Sequence, residues 1–513
     1  MSRNVANQVI RGTIVIVIVS VLAKLTSFLA EMILASYLGT NAVSDAYYMV
    51  TNIQLVIYPM LGVGIWKVFL PLYKAHLAQG QLREADSLAN SAISFFTLAS
   101  ILVVGLLILF ADLVVSVVAP GFQGQTRALC IELVRISAPM YILITAAAIY
   151  ASMLQCHNKF LGSQIREIAS HIPTILAALL LYRKYGIRVM AIALVAGGAL
   201  RLIVELPFVD WGFRFRVNLR FRTEEFKKML GRLPAVLLTE ATVKLNALID
   251  KSMASTLPDG TISGMNYGHK LMNVFSGLLS TAVSTAMYPQ MIELISKKEH
   301  EALSRLVVKV LNLFCIIMIP ITIACVLFRQ ELVSAAFQRG AFDENSAKLT
   351  AGVFALYALG LLFIACNAVL DNLFYGCGDT KTPLYVSIAA LVINVSLNLA
   401  LLRVLGANGL ALATSLSALI TFLIRIWSSR RIIRYNRQLP LTVGKVLLCS
   451  AAACFAPRLL FWAIPAVNIY LALAASGLLG VGIYFIGLRL LRVNELQDLI
   501  KLVLRKKNRR LSE

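Results

Sequence analysis

Long apolar runs recur along the whole chain, and they restrict what it can fold into more than any other feature. A helix needs about 20 apolar residues to cross the hydrocarbon core of a bilayer, and about fourteen runs reach this length. Strands of a membrane barrel would instead show alternating segments of about ten residues. The sequence therefore predicts an all-α, polytopic integral membrane protein with about fourteen transmembrane helices. The candidate spans are residues 12–37, 45–73, 90–118, 130–155, 162–182, 188–210, 233–256, 265–293, 304–327, 348–373, 384–402, 408–428, 443–464 and 467–491.

The low charge content agrees with a membrane location. Only 14% of the 513 residues are charged and 59% are hydrophobic, whereas a soluble globular chain carries about 25% charged residues. A soluble enzyme, a secreted disulfide scaffold and a disordered chain are therefore excluded. The 8 cysteines form no CxxC pair, and the sequence holds no metal-binding, nucleotide-binding or catalytic motif. We therefore expect a protein that is not an enzyme and that has no metal or other cofactor.

The net charge of +23 is concentrated in short segments between the apolar runs. Cytoplasmic loops of membrane proteins carry such an excess of Lys and Arg, so nucleic acid is not an expected partner. The basic segments 211–232, 429–442 and 492–513 fall on one predicted side, which places both termini in the cytoplasm. Segment 211–232 also alternates bulky apolar with basic residues. It has two interpretations: contact with the anionic inner leaflet, or a solvated linker.

The chain also resembles itself at a separation of about 220 residues. This internal repeat predicts two six-helix lobes in parallel orientation, an architecture of transporters whose substrate site lies between the lobes. The matching pairs are Gly186–Ala193 with Gly406–Ala413, Pro71 with Pro289, Cys156–Lys159 with Cys377–Lys381, and Lys24 with Lys244.

The repeat and the basic segments together predict the organisation of the chain. The first lobe is residues 1–210, the basic cytoplasmic linker 211–232 and the second lobe 233–428. These are followed by a basic cytoplasmic loop at 429–442, two extra transmembrane helices at 443–491 and a basic cytoplasmic tail at 492–513.

Several ionisable residues lie inside the predicted spans, where an uncompensated charge costs about 3 kcal/mol. We therefore expect them to face a cavity or a partner of opposite charge. The lysines predict an anionic substrate, because a Lys ammonium binds phosphate as a point charge. The acids are expected to pair with the lysines when no substrate is bound. The candidate anion-binding residues are Lys24, Lys67, Lys244 and Lys270, and the candidate charge-balancing acids are Glu31, Asp45 and Glu240.

These residues also have structural interpretations. Lys67 and Lys251 lie near predicted span ends, from which a lysine can extend to the headgroups. Glu240 and Lys244 are four residues apart, which suits a purely structural pair on one helical face. Lys24 and Lys270 have no carboxylate one turn away in their own helices, so a functional role is favoured for them.

A set of motifs spread along the chain resembles one known family. The motifs are Gly39–Tyr48, Phe69–Pro71, Ala119–Phe122, Tyr267–Met272, Phe374–Pro383, the pair Asn394 and Asn398, and Leu405–Ser415. The set is similar to the MurJ (MviN) lipid II flippases of the multidrug/oligosaccharidyl-lipid/polysaccharide (MOP) exporter superfamily. The resemblance implies a two-lobed helical fold in which the extra helices at 443–491 form a groove for a lipid tail.

In that family, cations of the first, second and eighth helices engage the diphosphate of an undecaprenyl-linked precursor. The resemblance places Lys24 at the first-helix position and Lys270 at the eighth-helix position. Asp45 takes the position of an acid that begins the second helix, and Glu31 that of an acid in the first. Lys24 and Lys270, with Lys67 and Lys244, form the candidate diphosphate-binding set, and Glu31, Asp45 and Glu240 are the candidate charge-balancing acids.

The chain departs from the family pattern in the first two helices. Ala30 stands where the family has a second arginine, and the second-helix arginine pair and the glutamate after it are missing around 57–58 and at Gly62. Lys67, one turn before Pro71, supplies replacement charge. A lysine keeps the attraction to phosphate but loses the bidentate geometry of arginine. The head group of the substrate is therefore the least determined part of the interpretation.

The resemblance implies a flippase that moves lipid II, the undecaprenyl-diphosphate-linked peptidoglycan precursor, across the cytoplasmic membrane of a bacterium by alternating access. Expected partners are lipid II, membrane lipids and the cell-wall synthesis machinery. One alternative is a flippase for another lipid-linked oligosaccharide of O-antigen, capsule or teichuronic type. Another is a cation-coupled multidrug exporter, which would favour an acid-rich cavity. The apolar side chains expected to guide the lipid tail are Leu459, Leu460, Phe461, Tyr470 and Leu471.

Overall fold

A computed structural model of the protein describes residues 3–59, 62, 64–219, 221, 223–435, 438–463 and 468–491. Every regular element among these residues is a helix, which confirms the predicted all-α fold. The chain divides into two compact units. Unit 1 is Met1–Asn266 with Arg339–Asp343, and unit 2 is Tyr267–Gln338 with Glu344–Glu513. The predicted basic tail at 492–513 lies outside the described residues.

Unit 1 is built from the helices of the first half of the chain. They are α1 (Arg3–Leu38), α2 (Ala42–Pro59), α3 (Ile65–Ala78), α4 (Leu82–Leu109), α5 (Ala111–Val118), α6 (Gly124–Ser137), α7 (Met140–Cys156), α8 (Phe160–Ala169), α9 (Ile172–Leu176), a π-helical turn (Ala177–Leu181), α10 (Tyr182–Tyr185), α11 (Arg188–Glu205), a 3₁₀ turn (Leu206–Phe208) and α12 (Glu224–Ala254). A core of buried side chains joins α3, α4, α7 and α12, among them Tyr73, Phe96, Met153 and Phe226.

Unit 2 begins within α13 (Thr261–Ser296), whose first residues belong to unit 1. The further helices are α14 (His300–Leu327), α15 (Arg329–Phe337), α16 (Glu344–Ala358), α17 (Leu361–Gly376), α18 (Lys381–Leu405), α19 (Ala407–Ser429), α20 (Gln438–Ala463) and α21 (Ile469–Leu490). Phe314 and Phe374 are buried in a core between α14 and α17. A second core packs α20 and α21 onto α14, where the Tyr484 hydroxyl donates to the Ile316 carbonyl at 2.6 Å.

The described helices are those of a polytopic membrane protein. Nine helical stretches are long and apolar enough to cross a bilayer, and the bent pairs α6–α7 and α16–α17 raise the number to 11. The other predicted spans, 45–73, 233–256 and 265–293, correspond to α2–α3, α12 and α13. α3 has only 14 residues, and α12 carries many charged side chains, so length and apolarity alone do not identify them. The count of about fourteen spans stays a prediction.

The internal repeat is visible in the order and bounds of the helices. The series α4 to α11 corresponds to the series α14 to α19, and two pairs of turn residues in it share a positive φ. Asn158 and Gly378 both have positive φ (59° and 77°), as do Gly186 and Gly406 (65° and 55°). Corresponding helices start at Leu82 and His300 (218 positions apart), at Ala111 and Arg329 (218) and at Arg188 and Ala407 (219).

The basic segment that follows α11 begins in contact with unit 1. His157, in the turn after α7, stacks on Trp211 with ring centroids 3.9 Å apart. The Tyr73 hydroxyl lies 3.1 Å from His157 Nε2, and Lys159 Nζ donates to Asp210 at 2.6 Å. The start of the segment is therefore packed against α3 and the end of α7.

Acidification is expected to weaken this packing. Burial lowers the pKa of His157 from its usual 6.5, although Asp210 acts in the opposite direction. His157 therefore binds a proton more readily when its packing against Trp211 is lost than when this packing is intact. The stability that His157 contributes is therefore complete above its unfolded pKa and is lost as the pH falls below it. We expect the melting temperature to fall between about pH 7 and pH 5, and less so in His157→Gln, which does not titrate. An identical pH dependence in both proteins would contradict this assignment.

Candidate functional site

Asp45, in the first turn of α2, is buried and holds the start of α13 within unit 1. Its Oδ2 accepts a hydrogen bond from the Gly260 N–H at 2.7 Å. Its Oδ1 accepts from the Ser263 N–H at 2.7 Å and from the Ser263 hydroxyl at 2.8 Å. The first N–H groups of a helix have no acceptor inside the helix, and a carboxylate there also interacts favourably with the helix dipole. Asp45 therefore caps α13 from another helix.

Lys251, near the end of α12, is a second buried charge in the same region. It is 5% exposed, and its Nζ makes no hydrogen bond to any described residue. Asp250 and Asp45 are the charges that interact with it electrostatically. Its position near a span end predicts a side chain that extends to the headgroups, but packing of α12 against α2 buries it. Lys251 is thus a buried ionisable residue that the sequence-based candidate set does not contain.

The candidate charges of α1 and α3 differ in accessibility. Lys24 is exposed, whereas Glu31, two turns further along the same helix, is only 5% exposed. Lys67 of α3 is also exposed. The two lysines therefore lie at the protein surface, and Glu31 is enclosed by protein.

The candidate charged residues of α12 and α13 have an intermediate exposure. Lys244 in unit 1 and Lys270 in unit 2 are each half-buried. Beside Lys270, the exposed His269 has its ring centroid 5.5 Å from that of Tyr357 and its Nδ1 3.2 Å from Asn273 Nδ2. The side chain of Glu240 lies outside the described residues, so the proposed pair with Lys244 stays a prediction.

Other ionisable residues in the predicted spans form ion pairs within one unit. Each pair neutralises a charge that would otherwise be costly in an apolar environment. These residues therefore have a structural role and are not assigned to substrate. The pairs are Arg166 with Glu205 (3.5 Å) and Arg201 with Glu167 (2.8 Å) in unit 1, and Arg425 with Asp371 (2.7 Å) in unit 2.

An apolar groove of about 550 Å³ lies within unit 2, between α14, α15, α20 and α21. α20 and α21 approach each other closely beside the groove, because a Cβ atom at Gly480 would lie 2.8 Å from the Ala453 carbonyl oxygen. Its lining is almost entirely apolar, which suits a hydrocarbon chain. The lining includes Pro320, Phe328, Pro457, Gly477 and Phe485.

The groove uses other residues of α20 and α21 than the sequence indicated. Leu459, Tyr470 and Leu471 are exposed and do not line it. Phe461 is half-buried and also does not line it, and the side chain of Leu460 lies outside the described residues. Both faces of these helices are apolar, so composition alone does not indicate which face lines a groove. Only the packing of α20 and α21 on α14 selects it.

An ion pair holds α20 to α15 beside the groove. Arg458 donates to Glu331 at 2.5 Å. The Arg458 guanidinium also lies over the rings of Phe328 and Phe461, 5.3 and 5.7 Å from their centroids. Such cation–π contacts strengthen when they are shielded from water. The pair therefore stabilises the wall that Phe328 contributes to the groove.

Solved structures with the same fold place this helix arrangement in a class. A structure described as lipid II flippase MurJ in an inward closed conformation aligns with a TM-score of 0.81 at 22% identity, covering 95% of this chain and 100% of that chain. An inward-facing multidrug resistance MATE family transporter of the MOP superfamily aligns with a TM-score of 0.68 at 13% identity, covering 80% of this chain and 94% of that chain. The chain therefore shares the fold of these two proteins.

Sequence comparison narrows this class to a family. The model of the family described as lipid II flippase MurJ matches residues 34–488. The chain is 25% identical over 486 residues to the probable lipid II flippase MurJ of Thermotoga maritima, covering 93% of this chain and 96% of that protein. It is 25% identical over 425 residues to the lipid II flippase MurJ of Burkholderia cenocepacia, covering 80% and 82%. The chain belongs to the MurJ family of lipid II flippases, which confirms the resemblance of its motifs.

Proposed function

We propose that this protein moves lipid II from the inner to the outer leaflet of the bacterial cytoplasmic membrane, with both termini in the cytoplasm. The observation that carries a lipid-linked substrate is the groove of unit 2, whose volume of about 550 Å³ has an almost wholly apolar lining. A polyprenyl chain needs such an apolar lining. Polar groups that the chain covers would lose their hydrogen bonds to water, and hydrocarbon offers no replacement. The diphosphate and sugars of the same molecule need the charged residues instead.

The lysines are the proposed contacts of the diphosphate. Lys24 and Lys67 are exposed, and Lys244 and Lys270 are half-buried, so each presents positive charge that a phosphate oxygen can approach. Ammonium–phosphate contacts are charge-assisted and about twice as strong as neutral hydrogen bonds. Glu31 and Glu240 are the proposed acids that balance these lysines in the empty state.

Asp45 has a different proposed partner. Its oxygens accept hydrogen bonds from Gly260 and Ser263, and Lys251 is its buried neighbour of opposite charge. We therefore assign Asp45 to the balance of Lys251 and not to the exposed lysines.

Translocation is proposed to follow alternating access, with the membrane potential as driving force. Each charge moved across the bilayer corresponds to about 2.3 kcal/mol per 100 mV. Enzymes that polymerise the peptidoglycan precursor outside the membrane would consume the product, and contacts with them belong to the same proposal.

Alanine at Lys24 or at Lys270 is expected to reduce lipid II translocation by about tenfold or more, because a hydrogen bond to a charged group contributes about 1.5–3 kcal/mol. The measurement is transfer of labelled lipid II across reconstituted vesicles. Lys24→Arg and Lys270→Arg keep the charge and should retain most of the activity. Lys184→Ala, at an exposed lysine in α10, is the matched control. Undiminished transfer by both alanine variants would overturn the assignment of these lysines.

The head group is tested separately in the same vesicles. An undecaprenyl-diphosphate carrying a different glycan replaces lipid II, and the transfer rates are compared. Faster transfer of lipid II, together with rescue of a conditional lipid II flippase mutant, is the expected result. Equal or faster transfer of the other glycan, without rescue, would replace lipid II by that class of lipid-linked oligosaccharide.

A further inference from the structure

Segment 213–219, which follows α11, has a surface that the rest of unit 1 does not cover. Phe215, Val217 and Leu219 are 47%, 73% and 64% exposed. These three exposed apolar side chains are called the apolar strip of the segment. Arg214 and Arg216, which directly precede Phe215 and Val217, are exposed as well. The segment thus presents apolar and basic side chains together.

Hydrogen bonds to α4 hold the segment in place. The Arg216 N–H donates to Asn90 Oδ1 at 2.8 Å, and the Asn218 N–H donates to Ser94 Oγ at 3.0 Å. The Asn218 side-chain amide donates to the carbonyl and the hydroxyl of Ser87, each at 3.2 Å. The exposed side chains therefore belong to an anchored segment, whose backbone bonds fix where they are presented.

Aromatic contacts fix the two ends of the segment. Phe213 is buried and meets Tyr150 edge-on, with ring centroids 6.1 Å apart. At the other end, the ring of Phe221 lies 5.3 Å from Phe95 and 5.4 Å from Phe226. Both ends are thus inserted into the core of unit 1, and only the middle is left uncovered.

The stripe of α4 under the segment continues into an exposed apolar surface. Ser87, Asn90 and Ser94 are followed at helical spacing by Leu98 and Ile101, which are 58% and 50% exposed. α4 has 28 residues, which is about 42 Å and exceeds the roughly 30 Å of hydrocarbon. Its polar start therefore lies at headgroup level, and the segment bound there lies at the same level.

We propose that segment 213–219 is an interfacial anchor that binds the anionic phospholipid surface. Its apolar strip enters the boundary between headgroups and acyl chains, while Arg214 and Arg216 contact lipid phosphates. The sequence adds Arg220 and Arg222 immediately afterwards. The anchor fixes the height of unit 1 relative to the bilayer surface, and this assignment does not depend on which lipid-linked substrate the protein carries.

The test is a spin label at Val217→Cys in the full-length protein, in a Cys377→Ser background that removes an exposed cysteine. Nanodiscs contain phosphatidylcholine alone or with phosphatidylglycerol. We expect the label at 217 to be severalfold more accessible to oxygen than to a water-soluble nickel complex in the anionic discs. A label at Gln79→Cys, in the exposed turn after α3, is the aqueous control. An aqueous signal at 217, as at 79, would overturn the anchor and would favour a soluble protein as occupant.

The charge contribution is tested with Arg214→Gln/Arg216→Gln. In anionic nanodiscs we expect the oxygen preference of the label at 217 to fall, and in phosphatidylcholine discs we expect no further change. Equal insertion in both lipids that is unaffected by the double variant would overturn the anionic partner. Both side chains are exposed, so the fold itself should survive, and an unchanged melting temperature checks this.

Discussion

Replacement of Asp45 by alanine is expected to destabilise the protein by about 3 kcal/mol or more, because each hydrogen bond to a charged group contributes about 1.5–3 kcal/mol. The variant loses three hydrogen bonds to Gly260 and Ser263 at the start of α13. It also leaves Lys251 buried with Asp250 as its remaining electrostatic partner. The melting temperature of the purified protein in detergent or nanodiscs should fall sharply.

A double-mutant cycle separates the charge from the hydrogen bonds. Asp45→Asn keeps an acceptor oxygen but removes the charge, and Lys251→Met removes the ammonium at similar volume. We expect the Asp45→Asn/Lys251→Met protein to be more stable than the sum of the two single effects predicts, because neither charge is stranded. Additive effects would show that Asp45 acts only as a helix cap and that Lys251 is compensated by Asp250.

Filling the groove of unit 2 is expected to stop translocation without unfolding the protein. Gly477 lines the groove, and a Cβ atom there would meet no atom within 4 Å. A phenylalanine at this position therefore occupies the space proposed for the polyprenyl tail without a backbone clash. Gly477→Phe should reduce lipid II transfer by at least about tenfold, which corresponds to about 1.4 kcal/mol of lost binding.

Gly482→Phe is the matched control for this experiment. Gly482 lies on the same helix, has equally open space around it and is not part of the groove lining. The substitution adds the same ring to α21, so a general effect of bulk or hydrophobicity would appear in both variants. We expect nearly unchanged transfer by Gly482→Phe. Equal transfer by the two variants would show that the tail does not use this groove.

Most of the helical architecture could be predicted because it depends on local chemistry. Apolar runs of membrane length indicated α4, α11, α14 and α18 to α21 directly. The repeat was predictable because turn residues such as Gly186 and Gly406 adopt positive φ at corresponding places. The motifs also identified the family, because they preserve residue types at fixed spacing. None of these inferences needs to know which helices touch.

The candidate site was predictable only in part. The lysines of α1, α3, α12 and α13 stand out in sequence because charge is rare in apolar runs, and Lys24 and Lys67 are accessible. Burial, however, depends on neighbours that are distant along the chain. Lys251 and Glu31 both look like ordinary intramembrane charges, yet both are 5% exposed. The same limit applies to the linker, where alternation suggested a lipid contact but not the hydrogen bonds from Arg216 and Asn218 to α4.

Hydrophobicity and residue spacing along the chain determined that this protein is helical, crosses a membrane repeatedly and contains a duplicated series of helices. They could do so because the free energy of placing a segment in lipid is a local property of that segment. Tertiary packing decided that Asp45 caps α13 beside Lys251, and that one particular face of α20 and α21 encloses the groove. Those outcomes depend on which side chains of different helices pack together and thereby exclude lipid and water. No single segment of the sequence encodes this packing.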